Sequence, residues 1–197
     1  QRLSRGLGDV YKRQNMATYP YKVMGLSGEY RPTSKCGMLV NHALEIAKSL
    51  GAEVHFWDLD VKPLPLVGEE GCWENENVKE FQELASECDA FLVSSPEYHG
   101  TMSGAMKNSF DWLYSKHVKG KVFGLMSTLG GAQNSNTLNH MRIMLRWLHA
   151  WPVPEQLAIG KVKQAFDEDG NLVNDDTKER LENLVKSVLE NTRKLTQ

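Results

Sequence analysis

The chain has 197 residues, of which 24% are charged and 41% hydrophobic, and its formal net charge is −2. No apolar run approaches the roughly 18 residues that a membrane-spanning helix requires. Such a mildly acidic composition also offers no basic surface for nucleic acid or for an anionic membrane. The three cysteines, Cys36, Cys72 and Cys88, are widely spaced and form no C-x-x-C pair. We therefore predict reduced thiols, a cytoplasmic protein and no metal site.

Residues 1–15 differ from the rest of the chain. Ser4–Gln14 reads SRGLGDVYKRQ, which looks like the in-frame translation of a transposase adapter used in DNA library preparation. The alternative is a natural, basic, disordered tail. Because residues 1–15 carry four basic residues and one acidic residue, excluding them changes the formal net charge from −2 to −5. We expect residues 16–197 to form a single domain with a full core.

From Tyr21 onwards, short apolar runs alternate with longer amphipathic runs. The strands that we predict are Tyr21–Leu26, Val54–Trp57, Ala90–Val93, Val122–Met126 and Val153–Ile159. Apolar residues at helical spacing predict helices over 34–50, 75–88, 105–113, 135–150 and 181–188, and a hairpin-like turn is predicted over 166–173. This alternation predicts an α/β fold, a three-layer α/β/α sandwich around a five-stranded parallel sheet.

The predicted helix over 135–150 carries a second apolar stripe. Beside the positions that face the sheet, it presents Ile143, Met144 and Trp147, and the stripe continues to Trp151. A helix that covers a sheet needs only one apolar stripe. Either the second stripe packs under the C-terminal helix at a crowded edge, or it is a subunit interface, which is the interpretation that we favour.

The loop over residues 25–34 has the composition of an anion-binding turn. It links a strand to a helix, so its backbone N–H groups and the helix N-terminus point into one small volume. Ser27 and Ser34 add hydroxyl groups, and Arg31 adds a guanidinium suited to phosphate oxygens. The alternative is an ordinary strand-to-helix turn with a serine cap. The loop has neither the spacing of a triphosphate-binding loop nor that of a dinucleotide fingerprint.

Two further loops follow predicted strands and gather at the same edge of the sheet. The loop over 94–101 reads SSPEYHGT, in which Pro96 is expected to fix a turn and Tyr98 offers an aromatic ring. The loop over 127–132 contains Gly130 and Gly131, which allow the backbone to approach a flat ligand closely.

These motifs match a known family. The first loop matches G-S-x-R-x-x-S-x-N at Gly28, Arg31 and Ser34, and the third matches a glycine pair. The second loop and the helix after it match P-E-Y-N-G and K-N-x-x-D-W at Pro96, Glu97, Tyr98, Gly100, Lys107, Asn108, Asp111 and Trp112. In these motifs and their order the chain resembles the NADPH-dependent FMN reductase family, which includes quinone, chromate and azo-dye reductases. The resemblance extends from about residue 21 to residue 188.

The resemblance implies a flavodoxin-like fold with sheet order 2-1-3-4-5, FMN as the cofactor and NADPH or NADH as the co-substrate. It implies that Ser27, Arg31 and Ser34 hold the FMN phosphate. It also implies that the isoalloxazine is contacted on one side by Pro96, Glu97, Tyr98 and His99 and on the other by Thr128, Gly130 and Gly131. Because the flavin N5 atom would accept the hydride, no side chain is expected to be catalytic. The acceptor would be a quinone, metal oxyanion, azo compound or free flavin, and the protein a homodimer or homotetramer.

Three residues depart from the family pattern. Glu29 replaces a serine, and Cys36 replaces an asparagine. His99 also replaces an asparagine, a milder change because the backbone N–H is retained. A carboxylate about 4 Å from a phosphate would cost several kcal/mol at an effective dielectric constant near 20. Either Glu29 turns to solvent near Lys35, which we favour, or FMN binding is weakened.

Two other functions share the predicted fold. An electron-carrier flavodoxin uses a hydroxyl-rich T-x-T-G-x-T loop, which this sequence lacks. A regulatory protein without flavin remains an alternative because of Glu29. For Asn108 and Asp111, which are one helical turn apart, a structural role in bracing the preceding loop is the favoured alternative to flavin contact.

Overall fold

The structure, a computed structural model, describes residues 18–132 and 135–196. The prediction for residues 1–15 lies outside the described residues. The strands are β1 (Lys22–Ser27), β2 (Glu53–Trp57), β3 (Ala90–Tyr98), β4 (Thr101–Met102), β5 (Val122–Thr128) and β6 (Trp151–Ile159). The α-helices are α1 (Lys35–Ser49), α2 (Glu76–Glu87), α3 (Gly104–Asp111), α4 (Ser115–Val118), α5 (Asn136–Trp147) and α6 (Asp175–Thr196).

The sheet has the predicted topology with one addition. Its parallel strands follow the order β2-β1-β3-β5-β6, which is the predicted order 2-1-3-4-5 once the short strand β4 is left aside. β4 pairs antiparallel with the end of β3 and raises the number of strands to six. The predicted flavodoxin-like α/β fold is therefore confirmed. The sequence pattern did not predict the strand β4 or the short helix α4.

Helices cover both faces of the sheet, and successive side chains of a strand point alternately into the two helical layers. On β3, Phe91 and Val93 point towards α2, α3 and α5, whereas Ala90 and Leu92 point towards α1 and α6. All four side chains are buried. This alternation explains why the strands are continuous apolar runs, since a parallel sheet between two helical layers exposes neither face.

The helix starts follow the predicted caps. Ser34 precedes α1, and its Oγ accepts the N–H of Gly37 at 3.0 Å. Asn75 precedes α2 and accepts the N–H groups of Asn77 and Val78. Such caps satisfy N–H groups that have no partner inside the helix. No helix in the two described ranges is both long and apolar enough to cross a membrane.

The predicted turn over 166–173 is present. Phe166 and Leu172 form an antiparallel bridge, and Gly170 has a φ of +83° in the turn between them. Both bridge residues are buried against α1 and α6. The turn therefore closes one end of that helical layer.

The second stripe of α5 is not covered by the part of the chain that the structure describes. Ile143, Trp147 and Trp151 are 62%, 76% and 59% exposed, while Met144 packs partly against the core. The interpretation that this stripe packs under the C-terminal helix is therefore wrong, because α6 lies on the opposite face of the sheet. A large exposed apolar patch of this kind is typical of an interaction surface.

Candidate functional site

The carboxyl ends of β1, β3 and β5 bring the three predicted loops together. The sheet order reverses between β1 and β3, because β2 follows β1 on one side and β3 lies on the other. Ser27 at the end of β1 pairs with Ser94, and Pro96 pairs with Thr128 at the end of β5. Ligands of open α/β sheets bind at such a switch point.

The turn after β1 wraps tightly over the start of α1. An added Cβ at Gly37 would lie 2.3 Å from the carbonyl oxygen of Pro32, so only glycine fits there. Arg31 is exposed on this turn and forms no salt bridge with the described carboxylates. The turn thus presents a guanidinium and the N-terminus of α1 to the same space.

Ser27 and Ser34 occupy different positions relative to this space. Ser34 lines the cavity beside Arg31. Ser27 is buried behind the cavity, where its Oγ accepts the N–H of Glu29 at 3.1 Å. The structure therefore brings two of the three predicted phosphate ligands to the cavity wall and uses the third to shape the turn.

Glu29 does not turn to solvent, so the favoured expectation was wrong. Its Oε2 atom accepts the backbone N–H of Cys36 at 3.1 Å, at the start of α1. The expected partner is directed elsewhere: the Lys35 Nζ atom lies 4.9 Å from the centre of the Phe166 ring. The N-terminus of α1 favours negative charge, and α1 has no acidic residue in its own first turn. These two facts explain why the carboxylate turns inward.

Cys36 lies at the bottom of the site without being exposed to it. Its Sγ atom is 3.0 Å from the Oγ1 atom of Thr128, and both residues are buried. Burial is the main cause that raises the pKa of this thiol, and the charge of Glu29 adds to it. The thiol is therefore protonated at neutral pH and does not provide a nucleophile.

The second loop is a hairpin, and Pro96 is not in its turn. β3 continues past the predicted end at Val93 to Tyr98, and Tyr98 pairs with Thr101. The turn residues are His99 and Gly100, with φ values of +52° and +81°. Two positive φ values are typical of a two-residue hairpin turn, for which Asn-Gly is favoured. His99 therefore stands where the backbone prefers the family's asparagine.

The buried carboxylate of Glu97 connects this hairpin to α5. Glu97 is 7% exposed, and its Oε2 atom accepts the N–H of Thr137 in the first turn of α5 at 3.2 Å. A carboxylate at this position satisfies an N–H group at the N-terminus of the helix and interacts favourably with its dipole. The Glu97 side chain thus points away from the cavity, whereas Tyr98 is 52% exposed and lines it.

Ser103 is a site residue that the sequence pattern did not identify. Its Oγ atom donates to the carbonyl oxygen of Gly28 at 2.6 Å and accepts the N–H of Met106, so it also caps α3. Its own N–H donates to the Oγ atom of Ser95. Ser103 thereby ties the first loop to the second. A serine two residues before a run of helix formers was the available signal.

The K-N-x-x-D-W motif makes structural contacts, in line with the favoured alternative, but Asn108 braces the loop after β2 and not the preceding loop that we expected. The Asn108 side chain donates to the carbonyl oxygens of Leu64 and Pro65, and the Trp112 indole N–H donates to that of Pro65 at 2.7 Å. Asp111 pairs with Lys107 one helical turn away. The motif therefore fastens the loop after β2 to α3.

The glycine pair of the third loop faces open space. An added Cβ at Gly130 or Gly131 meets no described atom within 4 Å, and neither residue has a positive φ. Packing against the described residues therefore does not explain these glycines.

The cavity at the switch point has a volume of about 370 Å³ and is lined by Gly28, Glu29, Tyr30, Arg31, Ser34, Tyr98, Ser103, Gly104 and Ala105. A larger groove of about 590 Å³ lies along the edge strand β2. That groove is lined by four carboxylates, Asp58, Glu80, Glu83 and Glu87, against one lysine, so its charge does not suit an anionic ligand.

Burial and the nearby carboxylate of Glu29 raise the pKa of Tyr98, which keeps its hydroxyl protonated.

The residues at the switch point fit a flavin phosphate and ring. Arg31 and the N-terminus of α1 suit an anion, Tyr98 suits an aromatic ring, and Gly130 and Gly131 leave room beside it. Together with the sheet order, these features define a flavodoxin-like protein. The sequence profile of the NADPH-dependent FMN reductase family matches residues 21–164. The chain belongs to this family of oxidoreductases, which use FMN with NADPH or NADH as the electron donor.

Relatives of similar sequence agree with this assignment, and solved structures agree with the fold. The chain is 31% identical over 165 residues to the NADPH-dependent FMN reductase ArsH of Rhizobium meliloti, covering 81% of this chain and 67% of that protein. It is 31% identical over 159 residues to the FMN-dependent NADPH-azoreductase of Staphylococcus aureus, covering 78% of this chain and 85% of that protein. The fold matches the NAD(P)H:(acceptor) oxidoreductase FerB of Paracoccus denitrificans with a TM-score of 0.71 at 22% identity, over 88% of this chain and 98% of that one. An archaeal flavodoxin matches with a TM-score of 0.62 at 12% identity, over 87% and 99% of the two chains.

Proposed function

We propose that the chain is an FMN-dependent NAD(P)H oxidoreductase that passes electrons to a quinone, metal oxyanion, azo compound or free flavin. The family acts on small-molecule acceptors, and relatives are named as FMN reductases and as an azoreductase. The observation that carries the proposal is the exposed guanidinium of Arg31 at the N-terminus of α1, beside a cavity at the switch point. The proposal treats residues 16–197 as one FMN-binding domain.

The proposal assigns the FMN phosphate to Arg31 and Ser34, with Ser27 supporting the turn that holds them. It assigns the ring to the segment Pro96–His99 on one side and to Thr128, Gly130 and Gly131 on the other. Bound FMN supplies the hydride-accepting centre, which no side chain of this chain replaces. The protein's part is to hold the ring against these loops and to leave one face accessible to the donor and the acceptor.

Purified protein tests the proposal directly. We expect protein supplied with FMN to be yellow and to oxidise NADPH or NADH when a quinone, an azo dye, chromate or free flavin is added anaerobically. A yellow protein that is inert with both nucleotides and all acceptors would support an electron carrier instead. A colourless protein that binds no added FMN would support a regulatory role without flavin.

The proposal also includes a homodimer or homotetramer in the cytoplasm. The exposed stripe of α5 supports the assembly, because Ile143, Trp147 and Trp151 leave a contiguous apolar surface uncovered. The cytoplasmic location is supported by the three cysteines, all of which are buried and unpaired.

We expect Trp147→Glu to dissociate the assembly, because the substitution puts a charge into an apolar contact. Light scattering after size-exclusion chromatography should give a multiple of the 22.3 kDa chain mass for the parent and the mass of one chain for the variant. Trp73→Glu is the matched control, since Trp73 is 58% exposed on another part of the surface. If Trp73→Glu dissociates the assembly and Trp147→Glu does not, the proposed interface is wrong.

A further inference from the structure

The Glu29 carboxylate lies where its charge would affect the binding of an anionic ligand. Its carboxylate accepts the Cys36 N–H in the first turn of α1, and the residue lines the same cavity as Arg31 and Ser34. The backbone holds Glu29 in this turn, because its own N–H donates to Ser27 Oγ. The chain thus supplies an internal anion to its own phosphate-binding turn.

An internal carboxylate and a ligand phosphate would compete for the same backbone N–H groups at the N-terminus of α1. Backbone N–H groups in the first turn favour one negative group, and a second negative group nearby is repelled. If a ligand phosphate displaces Glu29, the phosphate gains the Cys36 N–H only by breaking the bond that Glu29 already makes. If Glu29 stays, the phosphate meets its charge. In both cases the phosphate contributes less to binding than it would in a turn without the carboxylate.

Among the described residues, no cation is in salt-bridge contact with Glu29. The nearest lysine in sequence, Lys35, has its Nζ atom 3.9 Å from the sulfur of Met38 and over the Phe166 ring. Arg31 is the remaining cation on the turn, and it is the group that the phosphate itself requires. Pairing Arg31 with Glu29 would therefore remove it from the ligand.

We infer that Glu29 is a specificity-determining residue that makes the site bind FMN and its phosphate-free form, riboflavin, with similar affinity. The inference rests on the proposed function, since it takes the cavity to be the flavin site. It adds a ligand preference: flavins without a terminal phosphate are accepted nearly as well as FMN. Binding strength then comes mainly from the ring and its contacts with the loops around Tyr98 and Gly130.

Fluorescence titration of flavin-free protein measures this preference without any turnover. FMN and riboflavin are titrated separately into the parent, Glu29→Gln and Glu29→Ser. We expect the ratio of the riboflavin Kd to the FMN Kd to be below about tenfold in the parent and to rise by about tenfold or more in both variants. The rise should come from tighter FMN binding, with riboflavin binding changed by less than about threefold. Glu29→Gln keeps an oxygen that accepts the Cys36 N–H, so it separates the effect of charge from that of the hydrogen bond.

Glu83→Gln is the matched control. It removes the same charge from an exposed position on α2 outside the lining of the cavity, and its ratio should equal that of the parent. Flavin binding with the same ratio in the parent and in both Glu29 variants would overturn this inference and leave the proposed function standing. Failure of every protein to bind either flavin would refute the proposed function and the inference with it.

Discussion

Arg31→Ala should weaken FMN binding by about 30- to 100-fold. A guanidinium–phosphate pair contributes about 2–3 kcal/mol when its hydrogen bonds are charge-assisted. In the parent the Glu29 carboxylate offsets part of this contribution, and without Arg31 its repulsion of the phosphate is left uncompensated. The described residues hold no carboxylate in salt-bridge contact with this guanidinium, so its removal leaves no charge unpaired within the protein. The dissociation constant measured by quenching of FMN fluorescence gives the result.

Lys35→Ala provides the comparison for that measurement. The substitution removes one positive charge four residues after Arg31. The Lys35 Nζ atom lies against Met38 and the Phe166 ring rather than in the cavity. FMN binding should change by less than about threefold, since a remote charge acts only through a screened field. Parental FMN affinity in Arg31→Ala would show that the turn after β1 is not the phosphate site.

Gly37→Ala should destabilise the protein by about 3 kcal/mol or more and abolish FMN binding. The added methyl carbon would lie 2.3–2.8 Å from the O, C and Cα atoms of Pro32, and these are backbone atoms that no rotamer change can move. Overpacking a side chain alone costs about 1–3 kcal/mol, so a backbone clash belongs at or above the top of that range. Denaturant unfolding of the flavin-free protein measures the first effect and FMN titration the second.

Gly104→Ala separates the clash from the general effect of replacing a helical glycine. Gly104 opens α3, and an added Cβ there meets no described atom within 4 Å. That substitution should leave stability unchanged or raise it by up to about 1 kcal/mol, because alanine is the better helix former. Equal stability of the two variants would mean that the turn over α1 is looser than the structure describes.

The sequence predicted the sheet well because its interior strands are buried on both faces. Four of the five predicted parallel strands agree with the structure within two residues at each end, and the fifth, β3, runs five residues beyond its predicted end. The segment Ser94–Tyr98 contains two serines and a proline, which do not resemble a buried strand. The missing signal was tertiary: this polar segment joins the sheet by pairing with β5 and β4, and the Ser103 N–H donates to the Ser95 Oγ within it.

The site was predictable at the level of loops and not at the level of side-chain direction. Glycine, proline and arginine positions located the three loops. The direction of Glu29 was not predictable, because it depends on a balance between hydration and the dipole of α1. The hydrogen bond by which Glu97 caps α5 at Thr137 was also not predictable from the sequence, since the partners are separated by 40 residues.

The placement of the three thiols has a practical consequence for handling the protein. Cys36, Cys72 and Cys88 are each about 1% exposed or less, and burial raises the pKa of Cys88 to about 12. Alkylating reagents need a reachable thiolate, so they find none in the native state. Incorporation of iodoacetamide therefore reports opening of the segments that bury these thiols, so the chain carries its own probe of local and global opening without an engineered label.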